Sequence, residues 1–258
     1  MKRLVTLFFV LAVCGTGAVA QEGAYKTVKD IAYRDAAGDG NIDTMCRLDI
    51  YYPVGKTGFS TVVWYHGGGL TGGQREIPEA LKDKGLAVVG VEYRLSPAVK
   101  VADCVDDAAA AAAWVVKHSA GGYLTSMIGL DKRWLEPYGI DPDTAFVALI
   151  PYSGQVVTHF ERRRELGLPD TQPLVDDMAP LSYVRPDCRP MLILSGDRER
   201  EMLGRYEENA YFWRMMRVAG HPDVRICEFD GFDHGNMPQA GHFVAVRYIR
   251  EMERRMDR

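Results

Sequence analysis

The sequence predicts an α/β protein in which a mostly parallel sheet carries helices on both faces. Three observations lead there. Short apolar runs alternate with helix-length segments along most of the chain. Leu86 to Tyr93 is a continuous apolar stretch, as expected of a strand buried on both faces. Glycine, serine, acidic and histidine motifs fall directly after predicted strands.

The first 20 residues stand apart. Met1-Lys2-Arg3 is basic, Leu4 to Val13 is nearly all apolar, and Ala18-Val19-Ala20 precedes Gln21. That is the pattern of a secretory signal peptide, too short for a permanent membrane span. The expected division is therefore a signal at residues 1–20 and one domain over 21–258, exported to the periplasm or the medium. A lipoprotein signal acylated at Cys14 is the weaker alternative, because Val13 stands where a small residue is expected. In an oxidising compartment Cys46, Cys104, Cys188 and Cys227 could pair, or remain buried thiols. Their spacing fits no metal site, and no cofactor is implied.

The 258 residues suffice for one sizeable core, and 47% hydrophobic with 26% charged residues is ordinary for a globular chain. A net charge of −4 gives no nucleic-acid footprint. Neither nucleic acid nor, once the signal is removed, a membrane is expected as a partner.

Lys26 to Arg34 and Cys46 to Tyr52 alternate as strands, joined through Asp35 to Asp43. That connection has the composition of a turn, and lacks the ligand order and terminal glutamate of a calcium loop. Ser60 to Tyr65 is a third strand running into His66-Gly67-Gly68-Gly69, followed by a helix over about Glu76 to Lys84. Val101 to Val116 reads as helix, since its alanine run has the highest helix propensity. Ala120 to Leu130 is a second helix and Thr144 to Tyr152 a buried strand. About residues 155–186 break the alternation and are expected to form a small cap, with Arg162-Arg163-Arg164 on a solvated helix face. Met191 to Gly196 and Val224 to Phe229 are strands, and Met202 to Val218 and Phe243 to Met256 are helices. Aromatic and Met residues around Phe212 to Met216 pack a helix onto the sheet.

The chemistry-bearing motifs occur in the order serine, acid, histidine. They are His66 to Gly69, His118-Ser119-Ala120-Gly121-Gly122, Ser195-Gly196-Asp197-Arg198-Glu199 and Gly231-Phe232-Asp233-His234-Gly235. On these residues the chain resembles the α/β-hydrolase carboxylesterases that carry an HGGG loop, including hormone-sensitive-lipase-like and bacterial carbohydrate esterases. The resemblance covers nearly all of residues 21–258. It implies an α/β-hydrolase fold and a serine esterase for short acyl groups, such as acetyl groups on carbohydrate. It also implies Ser119 as nucleophile, His234 as base, and Gly67, Gly68 and Ala120 as oxyanion donors. Counting from the strand end favours Glu199 as the acid, with Asp197 the other choice. Asp233 reads as a turn residue, and His66 as shaping its loop. His159, His221 and His242 have no motif around them and are expected to be structural or surface residues.

The serine motif departs from Gly-x-Ser-x-Gly, because Lys117 occupies the first glycine position. Either Trp114 to His118 form a short strand feeding the elbow, or the alanine helix runs on into Ser119 and that strand is missing. The second alternative allows a hydrolase-fold protein without catalysis, a binding module or a damaged esterase.

Overall fold

The computed structural model describes residues 24–56, 59–116 and 123–256. The expected signal at residues 1–20 and the serine motif at 117–122 lie outside the described residues.

Strand β1 (Tyr25–Ala32) leads to a short helix, α1 (Gly40–Met45), and then to β2 (Arg47–Pro53). The connection read as a turn thus contains helix. Asp39 nucleates it by accepting from the Asn41 and Ile42 amides, satisfying donors the first turn leaves open. β3 (Thr61–Tyr65) and β4 (Ala87–Val91) follow. The helix expected over Glu76 to Lys84 is only a 3-10 turn at Glu79–Leu81. Pro78 removes a donor and disfavours helical backbone before it. The chain at Glu76 also presses on the sheet: a Cβ on Gly90 would lie 2.2 Å from the Glu76 carbonyl oxygen.

These strands form one sheet in the order β1-β2-β4-β3. β1 to β2 and β2 to β4 are antiparallel, and β3 runs parallel to β4. All five residues of β4 are buried, which explains the uniformly apolar run there.

Helix α2 (Val101–Val116) packs its alanines from Ala108 to Ala112 against the sheet, all buried. Small side chains allow a close approach, and the Tyr65 hydroxyl donates to the Ala108 carbonyl at 2.7 Å. Asp107, fully buried, accepts from Arg94 at 2.7 Å and Arg34 at 2.5 Å, so its charge is paired as burial requires. Residues 114–116 are helical, so the short strand expected as one alternative at Trp114 to His118 does not form over them.

Helix α3 (Tyr123–Leu130) then lies against Leu149. A Cβ on Gly129 would come within 2.6 Å of a Leu149 methyl. Thr144 to Tyr152, expected as a strand, begins instead with α4 (Pro142–Ala145), capped by Asp141. Only two isolated parallel bridges remain, Leu149 to Met191 and Tyr152 to Leu194. Residues 155–185 contain α5 (Phe160–Glu165) and a 3-10 turn at Pro180–Tyr183. Contrary to a fully solvated arginine face, Arg163 is buried and donates to the Gln172 carbonyl at 2.8 Å. Arg162 pairs with Glu165 and Asp176, and Arg164 with Glu161 and Asp170.

β5 (Met191–Gly196), α6 (Arg205–Val218), β6 (Val224–Phe229) and α7 (Met237–Met256) complete the chain. β5 and β6 are parallel and form a second sheet. Phe212 and Met216 of α6 are buried, as expected of a packing face. Trp64 of β3 meets Tyr152 edge-on at 5.3 Å between ring centres, and both rings touch His242 of α7. The two sheets therefore share α7 as a common layer. Among the described residues no strand lies between β3 and the 149–152 segment. Cys46, Cys104, Cys188 and Cys227 are all free thiols.

Candidate active site

His234, expected as the base, has a carboxylate partner. His234 Nδ1 lies 2.5 Å from Glu201 Oε1. The residue paired with His234 is thus neither Glu199 nor Asp197. The cause is a tight turn after β5, in which the Arg200 and Glu201 amides donate back to the Asp197 carbonyl. One such turn brings the fifth residue, not the third, over the strand end. Glu199 is exposed. Asp197 is a loop cap, accepting from the Glu199 amide at 2.8 Å and the Gly231 amide at 2.7 Å. Glu201 belonged to the same acidic cluster in sequence, and only the turn geometry singles it out.

The Glu201 side chain is fully buried. Its Oε2 accepts from the Ser153 hydroxyl at 2.6 Å and the Gly196 amide at 3.2 Å, and Oε1 also accepts from the Met202 amide at 2.9 Å. Burial would raise the carboxyl, but donation from His234, Ser153 and Met202 outweighs it and holds the group at about 2. An ionised acid with a fixed orientation sets the His234 tautomer, with Nδ1 as donor and Nε2 left to act as base.

Ser153 was not visible as a site residue. It takes a positive φ of 41° and is buried. Its amide donates to the Leu194 carbonyl at 2.6 Å, and its carbonyl accepts from Arg205 at 2.7 Å. Arg205 in turn pairs with Glu208, whose other oxygen accepts from the Val156 and Val157 amides. The acid is thereby tied to α6 and to the segment that follows Ser153.

The glycine loop is equally constrained. Buried His66 bonds through Nε2 to Glu92 Oε1 at 2.7 Å and stacks on Tyr93 at 4.5 Å. Glu92 Oε2 accepts from the Arg75 amide at 3.0 Å. Burial opposes ionisation of Glu92, and the hydrogen bond from His66 overrides it, keeping the carboxyl below its ordinary value. His66 therefore braces the loop. Gly68 has a φ of 117°, and its missing Cβ would meet the Gly72 carbonyl oxygen at 2.1 Å, so only glycine fits there.

Gly67, Gly68 and His234 line one cavity of about 700 Å³. The structure thus brings the proposed oxyanion loop and the base to the same space. Ser119 and Ala120 lie outside the described residues. Asp233 caps its turn by accepting from the Gly235 and Asn236 amides. His159, His221 and His242 are buried and each hydrogen-bonded, to the Glu161 amide, the Cys188 carbonyl and Tyr152 respectively. Burial, with Arg205 nearby, drives His159 down to about 3, so it stays neutral. Among the described residues no group of acidic, His or Cys side chains has the arrangement of a metal site.

This fold, with its acid–histidine pair beside a glycine loop, is that of an α/β-hydrolase. A family model described as BD-FAE matches residues 48–138. The chain is 26% identical over 240 residues to a probable carboxylic ester hydrolase of Mycobacterium tuberculosis, LipM, covering 74% of this chain and 55% of that one. It is 35% identical over 75 residues to the carboxylic ester hydrolase LipN of the same organism, covering 27% and 20%. The chain spans about half the length of the first of these relatives and less of the second. Among solved structures, a truncated carbohydrate esterase from gut microbiota superposes with a TM-score of 0.71 at 15% identity, over 91% of this chain and 98% of that one. Apo esterase 2 of Thermogutta terrifontis gives 0.64 at 23% identity, over 80% and 89%. These structural likenesses establish the α/β-hydrolase fold.

Proposed function

We propose that this protein is a carboxylic ester hydrolase that works through a serine acyl-enzyme. The observation that carries the reading is the pairing of buried Glu201 with exposed His234, which lines the same cavity as the glycine loop. In this mechanism the Ser119 hydroxyl gives its proton to His234 Nε2 and attacks the ester carbonyl. Gly67, Gly68 and Ala120 amides stabilise the oxyanion, each donor contributing on the order of 3 kcal/mol. The imidazolium then protonates the departing alkoxide, and water repeats the sequence to release the acid. The ester-hydrolase names of the mycobacterial relatives support this reading.

A short acyl group and a carbohydrate alcohol form the finer part of the proposal, supported by the likeness to a carbohydrate esterase. Export rests on the amino-terminal signal pattern. A second reading, a hydrolase fold with impaired catalysis, is favoured by one observation: α2 is helical through Val116, leaving six residues before α3. An elbow strand and its connecting loop ordinarily need more chain than that.

Hydrolysis of p-nitrophenyl acetate decides between them. Turnover that disappears in Ser119→Ala and in His234→Ala supports the esterase. A folded protein whose turnover is the same as that of both variants supports the impaired reading.

A further inference from the structure

We propose that Phe160 sets the length of the acyl group this site accepts: its ring is a fixed end wall that admits acetyl and excludes longer chains. The inference rests on the ester-hydrolase reading and adds to it the residue that limits the substrate.

The contact is direct. Phe160, the first residue of α5, points its ring end-on at Gly69, the glycine next to the two proposed oxyanion donors. A Cβ on Gly69 would lie 2.7 Å from Phe160 Cζ and 3.6 Å from each Cε. No side chain fits between the loop and the ring, so the third glycine lets the ring seat there. Gly67, Gly68, Gly69, Phe160 and His234 line one cavity.

The ring is held from several directions. His159 packs against it at 4.3 Å between ring centres, and Tyr123 backs His159 at 5.0 Å, its hydroxyl donating to the Met178 carbonyl. The Arg164 guanidinium lies 5.0 Å from the Phe160 ring centre and is paired with Glu161 and Asp170. The Phe160 amide donates to Gln155 at 3.2 Å. Ser96 sets the spacing between loop and helix, since its amide donates to the Leu70 carbonyl at 2.8 Å and its hydroxyl to buried Glu161 at 3.2 Å. The Val101 amide donates to Glu165 at 2.6 Å, so α5 is tied at both ends. A wall fixed at this many points does not yield to a longer chain.

The chemistry assigns this wall to the acyl side. The departing alkoxide takes its proton from His234, so the alcohol lies toward His234. The carbonyl oxygen lies against the Gly67 and Gly68 amides. The acyl group, which stays on the serine, takes the remaining direction, along the loop beyond Gly68, where Phe160 stands.

Kinetics on p-nitrophenyl acetate, butanoate and hexanoate test this, with folding of each variant checked by melting curves. In the wild-type protein kcat/KM is expected to fall at least about tenfold from acetate to hexanoate. In Phe160→Ala, which removes the ring, the hexanoate-to-acetate ratio is expected to rise at least about tenfold, mainly through KM. Phe160→Leu withdraws the ring tip and keeps an apolar side chain on α5. It is expected to raise the butanoate-to-acetate ratio, and it decides the question if the alanine variant does not fold. Unchanged ratios in a folded variant, or wild-type protein that takes hexanoate as readily as acetate, would overturn the proposal and leave ester hydrolysis standing. So would ratios that shift only along a series of alkyl acetates with lengthening alcohols. Turnover absent from the whole series, or equal in Ser119→Ala, would instead remove the ester-hydrolase reading, and this proposal with it.

Discussion

Glu201 occupies its place because a single turn after β5 folds its carboxylate back over Gly196 and under His234. If it is the acid of the reaction, Glu201→Gln lowers kcat/KM for p-nitrophenyl acetate by about a hundred- to ten-thousandfold, because the imidazole loses its tautomer control. Glu199→Gln, on an exposed side chain, leaves the rate within about twofold. Asp197→Asn weakens a loop cap and is read in thermal stability rather than in chemistry. Steady-state kinetics and melting curves on the three variants separate these outcomes. The pH dependence follows from the same contacts. Glu201 titrates near 2 when folded against an ordinary 4.5, so its ionised form stabilises the native state. That contribution is complete above about 4.5 and is lost as the pH falls toward 2. Ser153→Ala removes a donor, raises the folded value, and moves the acid-side loss of stability and activity to higher pH. An unshifted acid limb in Ser153→Ala would contradict this role.

At the scale of elements, legibility depended on how far each segment's own chemistry decided its structure. β4 and α2 were readable because an apolar strand run and an alanine-rich helix have few alternatives. Glu76 to Lys84 was not, because its conformation is set by Pro78 and by contact with Gly90 on the sheet beneath. Residues 144–152 depart from the expected strand for a similar reason: their apolar composition suits a strand, yet Asp141 and Pro142 start a helical turn. The acid lay in a visible cluster, but choosing Glu201 required a turn geometry that spacing does not encode. Ser153 carried no sequence signal at all, since a lone serine becomes informative only once its φ and its partner are known. Gly90→Ala is expected to destabilise the protein by about 1–3 kcal/mol, because its Cβ meets backbone that cannot rotate away. Chemical denaturation measures it, and a neutral result would mean that the 76–78 segment is free to move.

For the molecule as a whole, the described residues form a hydrolase-fold core of two sheets, with no described strand between β3 and residues 149–152. Both flanks of the proposed reaction centre, the braced glycine loop and the Glu201–His234 pair, are built on the described elements. What joins α2 to α3 is six residues. Lys117→Gly alone is therefore expected to change activity little, since the preceding three residues are helical rather than extended. Inserting a loop and a five-residue apolar strand after Val116 is expected to raise kcat/KM by at least about tenfold, by supplying a strand between β3 and residues 149–152. Hydrolysis assays on the two designs test the relation between sheet continuity and rate.

The central claim is that Ser119 acts with His234 and Glu201. A fluorophosphonate probe reads it directly, with mass spectrometry locating the adduct. The account predicts labelling of Ser119 in the folded protein, absent in Ser119→Ala and strongly slowed in His234→Ala and Glu201→Gln. A folded protein that carries no adduct at Ser119 after prolonged exposure would contradict it.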